Sequence, residues 1–82
     1  MIDEDKFMRS YWEHLNERQE KGDESEILAL GDADPSTLES VEILYKLIHR
    51  GYFELARPDQ GKPFCFKFTE CGEEHAKFLS QD

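Results

Sequence analysis

A small α+β domain, ordered helix, short helix, long helix, β-hairpin, helix, is what this chain of 82 residues predicts. Three observations carry that expectation. Apolar residues return at steps of three and four over Phe7–Leu15 and again over Leu38–Ile48, the spacing of a half-buried helix. From Tyr52 to Phe68 the pattern changes to two apolar runs separated by Pro58-Asp59-Gln60-Gly61-Lys62-Pro63, which is turn chemistry. Six Phe, three Tyr and one Trp give enough apolar mass for one core despite 35% charged residues. A chain of this length holds one such core, so residues 1–82 are expected to form one domain.

The first helix starts near Asp3 or Asp5, whose carboxylates suit the unpaired amides and the positive dipole end. Phe7, Met8, Tyr11, Trp12 and Leu15 form its apolar stripe, and Gly22 stops it. Asp23-Glu24-Ser25-Glu26 has the form of a capping box, so a short second helix is expected over Ser25–Leu30, with a strand over Glu26–Leu30 as the rival. The long helix is placed at 36–50. Ser36 and Glu39 form its capping box, Leu38, Val41, Leu44, Tyr45 and Ile48 its buried arc, and Gly51 its C-terminal stop. Tyr52–Arg57 and Phe64–Phe68 then make the hairpin, with Phe64, Phe66 and Phe68 on one face. Thr69 caps a final helix over Glu70–Ser80, on which Cys71, His75, Phe78 and Leu79 share a face.

Charge is unevenly distributed. Residues 1–34 carry −7, residues 35–82 carry −2, and the stretch 46–67 is locally basic through Lys46, Arg50, Arg57, Lys62 and Lys67. A field of this sign repels polyanions, whereas nucleic-acid binding needs lysine and arginine to displace counterions. The chain has no apolar run of the length that crosses a bilayer, its first residues are acidic, and its two cysteines make no disulfide scaffold. A cytoplasmic protein with no membrane partner is therefore expected.

Catalytic and metal chemistry find little support. Cys71 and His75 lie one helical turn apart, with Cys65 and His49 as further candidates, but zinc needs four converging ligands and there is no C-x-x-C knuckle. Glu70, Glu73 and Glu74 surround Cys71 and favour its protonated form. The five glycines are too dispersed to cradle a phosphate. No enzyme, no metal and no cofactor is the expectation.

Glu26-Ile27-Leu28-Ala29-Leu30-Gly31-Asp32-Ala33-Asp34-Pro35-Ser36-Thr37-Leu38 is similar to the opening of a helix-turn-helix. Leu47-Ile48-His49-Arg50-Gly51-Tyr52-Phe53-Glu54-Leu55, followed by a turn and Phe68-Thr69-Glu70-Cys71-Gly72-Glu73, resembles the wing of the MarR and PadR-like regulators. The resemblance covers roughly residues 25–79 as a pattern of residue types. It implies a small winged-helix domain, a long helix that enters the major groove, and dimerisation through terminal helices. The nucleic-acid-binding residues it implies are Ser36, Thr37, Ser40, Lys46, Arg50, Arg57, Lys62 and Lys67. Glu39 and Glu42 depart from that pattern, because carboxylates meet a phosphate lattice unfavourably.

Ile43 and Leu47 fall outside the predicted buried arc, which leaves two readings. Either the long helix is central and buries both, or they form an exposed apolar spot for a partner or a second copy, joined by Tyr11 or Trp12 if those are exposed. Two roles follow. The first is a non-enzymatic winged-helix module, an acidic inhibitor or adaptor whose acidic N-terminal half contacts a protein with a basic surface, with Glu39, Glu42, Ile43 and Leu47 as partner-binding residues and nucleic-acid mimicry as its sharpest form. The second is a DNA-binding transcription regulator that uses the wing and the long helix.

Overall fold

The computed structural model describes residues 3–34, 37–57 and 64–81. Its elements are α1 (Glu4–Glu20), β1 (Leu28–Ala29), α2 (Leu38–His49), β2 (Phe53–Leu55), β3 (Cys65–Phe68) and α3 (Glu70–Ser80). The strands form an antiparallel sheet in the order β1-β3-β2, so β3 is central. The architecture is a small α+β domain, as the sequence predicts. Among the described residues no helix is long and apolar enough to cross a membrane.

α1 follows its predicted course. The Asp3 carboxylate accepts from the Lys6 amide at 2.7 Å, and Phe7, Met8, Tyr11 and Leu15 are buried. These side chains meet the sheet in an aromatic cluster. Tyr11 packs edge-on against Phe66 with ring centres 5.0 Å apart, and Phe53 lies 5.0 Å from Phe66 and 4.6 Å from Phe68. The two edge-to-face pairs, Tyr11–Phe66 and Phe53–Phe66, add about 0.5–1.5 kcal/mol each beyond the area they bury. Trp12 packs against Phe68, half-buried, and Tyr11 is fully buried, so neither joins an exposed aromatic spot.

The short helix expected at Ser25–Leu30 does not form; its rival, a strand, does. The Asp23 carboxylate accepts from the Ser25 amide and the Ser25 hydroxyl from the Ile27 amide, so the residues suited to capping make local turns instead. Arg18 donates to the carbonyls of Ser25 and Ile27, both at 2.8 Å, and fixes that backbone as it leaves α1. Leu28 and Ala29 then pair with Phe66 and Cys65. Among the described residues no helix lies between α1 and α2, so residues 26–34 of the segment resembling a helix-turn-helix opening form a strand and a turn.

α2 begins later than expected. Thr37 is its N-cap, accepting from the Ser40 amide at 3.3 Å, while Ser36 lies outside the described residues. Its phase also differs from the predicted arc. Ser40, Ile43, Leu44 and Leu47 are buried, and Leu38 and Tyr45 are exposed. Gly51 closes the helix at φ 84°, a backbone region that favours glycine.

The expected hairpin is present, with Glu54 opposite Lys67 and an ion pair of 3.0 Å between them. Its turn, including Lys62, lies outside the described residues. α3 is capped by Thr69, whose hydroxyl accepts from the Gly72 amide at 3.0 Å. The buried side of α3 is Gly72 and Ala76, with Leu79 half-buried, and α3 packs against α1. Of the residues expected to share a face, Cys71 and Phe78 are exposed, and His75 stacks on Tyr52 with ring centres 4.6 Å apart.

Candidate functional site

The start of α1 and the flank of α2 border an open groove of about 790 Å³. Its lining is Asp3, Glu4 and Asp5 from the start of α1, and Glu39, Glu42, Ile43 and Lys46 from α2. The sequence places these groups for local reasons. Asp3, Glu4 and Asp5 stand where the α1 dipole and free amides favour negative charge, and Glu39 does the same in the first turn of α2. Packing α1 against α2 then brings both acidic ends to one surface. Five carboxylates stand against one lysine in the lining.

Part of this charge is internally compensated. Arg50 at the end of α2 pairs with Glu4. Glu39 and Glu42 are exposed on the groove rim. Of the residues predicted for partner binding, Glu39 and Glu42 are therefore brought together with three acids of α1. Ile43 and Leu47 are not available: only 6% and 1% of their surfaces are exposed, and both belong to the main core. Ile43 reaches the groove only as part of its floor. The exposed-spot reading is corrected on this point, and the central-helix reading holds.

Among the described residues the cations predicted for nucleic-acid contact are not gathered into one footprint. Lys46 sits in the acidic groove, Arg50 is paired with Glu4, and Lys67 with Glu54, which raises the Lys67 pKa. Arg57 and Thr37 are exposed, whereas Ser40 is completely buried beside Thr37 and offers no hydroxyl to a ligand. Ser36 and Lys62 lie outside the described residues.

Among the described residues no group of three or more His, Cys, Asp or Glu side chains converges to hold a metal ion. A polar node around the Tyr11 hydroxyl is structural. The Tyr11 hydroxyl donates to the Asp34 carboxylate and accepts from the Gly31 amide at 3.0 Å, which ties α1 to the turn after β1. Burial, then the Asp34 bond, raises its pKa above the ordinary tyrosine range. The chain matches no protein-family model, no curated protein and no solved structure.

From sequence alone Asp3, Glu4 and Asp5 belong to a helix cap and to the acidic stretch 1–34 expected to meet a basic partner. Their part in the groove depends on how α1 meets α2. A signal was nevertheless present, since three consecutive acids exceed what one N-cap uses.

Proposed function

We propose that this chain is a non-enzymatic winged-helix module that binds a basic segment of a partner protein in the cytoplasm. The winged-helix assignment is supported by the β2–β3 hairpin directly after α2 and by β1 on the other side of β3. An exposed thiol, Cys71, suits a reducing compartment. The observation that carries the binding role is the groove itself, with five carboxylates and one lysine on an otherwise acidic protein. Such a surface steers a cationic partner and repels competing polyanions. The transcription-regulator role has weaker support, because Lys46, Arg50 and Lys67 all stand against acids.

Titration at low ionic strength with poly-L-lysine and with a duplex DNA tests the proposal. The expected result is saturable binding of poly-L-lysine that weakens with salt, no duplex binding, and a loss of about tenfold in the Glu39→Lys, Glu42→Lys double variant, the scale of a few screened rim charges. Duplex binding that weakens on Arg57→Ala, or poly-L-lysine binding unchanged in the double variant, would overturn it.

A further inference from the structure

The outer face of α2 carries a second feature beside the acidic groove. Leu38 is 84% exposed and Tyr45 47% exposed. At 100° per residue Leu38, Glu42, Tyr45 and His49 fall within one narrow stripe, about 16 Å long at helical rise. Glu39 and Lys46 flank this stripe on the groove side, and half-buried Val41 flanks it on the other. Single exposed apolar residues are ordinary on any surface. Two of them two turns apart, with Glu42 between them and an acidic groove alongside, form a surface of mixed character.

We infer that this stripe and the adjoining groove are one docking surface for a cationic amphipathic helix of a partner protein. The inference rests on the basic-partner reading and adds the partner's form. Apolar side chains of the incoming helix, spaced by about two turns, cover Leu38 and Tyr45. Its lysines and arginines fall toward Glu42, Glu39, Asp3 and Asp5. Recognition of a helix by a helix face proceeds through such i, i+3, i+4 and i+7 anchors. Charge selects among the other occupants. A second copy would bring a net charge of −9 against the same carboxylates, and an anionic membrane or a nucleic acid would be repelled in the same way. The apolar pair also separates this surface from one that only imitates a phosphate chain, which needs charge and no anchors.

Fluorescence anisotropy with three labelled probes tests the inference on the full chain: an 18-residue Leu/Lys peptide of amphipathic order, a scrambled peptide of the same composition, and poly-L-lysine. The amphipathic peptide is expected to bind at least tenfold more tightly than the scrambled one. Leu38→Ser and Tyr45→Ser each remove most of that preference and leave poly-L-lysine binding unchanged. Both positions are exposed, so the variants are expected to keep the parent's thermal midpoint, checked by circular dichroism. Equal affinity for the two peptides, or a preference untouched by both serine variants, overturns the amphipathic-helix inference while the basic-partner reading stands. Absence of any cationic binding at low salt overturns both. Dimerisation seen by sedimentation equilibrium and abolished by Leu38→Ser overturns the inference by making a second copy the occupant.

Discussion

Gly72→Ala lowers the stability of this protein, although alanine is the better helix former. Gly72 is the third residue of α3, where intrinsic propensity favours alanine by about 1 kcal/mol. Contact opposes it. A Cβ at this position would lie 1.8 Å from the carbonyl oxygen of Tyr52 and 2.7 Å from its carbon. Comfortable C···O contact is about 3.3 Å, so α3 and the Tyr52 backbone must part by roughly 1.5 Å. The same carbonyl accepts from the Thr69 amide at 3.0 Å, and the Thr69 hydroxyl donates to the Gly51 carbonyl while capping the Gly72 amide. A displacement of that size breaks two of these bonds, at about 1 kcal/mol each. It also adds a misfit of about 1–3 kcal/mol. After the gain in propensity, the net loss is about 2–4 kcal/mol, or roughly 10–30 °C in Tm for a domain of this size. Thermal and urea unfolding followed by circular dichroism measure it. A midpoint equal to or above that of the parent would refute the close approach of α3 to Tyr52.

Tyr11→Phe removes the hydroxyl that bridges Asp34 and Gly31, and urea unfolding is expected to show a loss of about 1–3 kcal/mol. Because the folded protein raises the Tyr11 pKa, its contribution is complete below the ordinary tyrosine value near 10 and falls as pH rises from there toward the folded value. The parent's unfolding midpoint therefore declines above about pH 10, and the decline is shallower in Tyr11→Phe. Leu47→Ala opens a hole in the core and costs about 2–5 kcal/mol, whereas Leu38→Ala stays within about 0.5 kcal/mol; equal effects would contradict the observed phase of α2. Arg18→Ala releases the carbonyls of Ser25 and Ile27, and hydrogen exchange is expected to speed up for amides of residues 25–29 while the α2 amides keep their protection.

The elements with one dominant signal were legible from residues alone. Asp3 at the head of α1, Thr69 at the head of α3 and the alternating phenylalanines of β3 each combine a local rule with a matching pattern. Where two patterns competed, tertiary contact decided. Ile27–Leu30 is too short for periodicity to separate helix from strand, and pairing with β3 settles it. In α2, Leu38, Val41, Ile43, Leu44, Tyr45, Leu47 and Ile48 cover most of the helical wheel, so two opposite arcs look equally apolar. Ser40 obscured the true one, because a serine at the centre of a buried face reads as a surface residue until Thr37 is seen beside its hydroxyl. The candidate site was half legible. Glu39 and Glu42 stood out as acids on a helix expected to be basic, but the contribution of Asp3, Glu4 and Asp5 depends on interhelical packing.

The central position of β3 has a consequence for handling the protein. Phe64-Cys65-Phe66-Lys67-Phe68 is the segment of this chain best suited to self-assembly into fibrils, being rich in aromatic residues and free of proline. Folding sequesters it between two strands of two and three residues, edges too brief to template another chain. Solubility is thus coupled to global unfolding, and variants that lower the melting temperature will precipitate in proportion to the time they spend open.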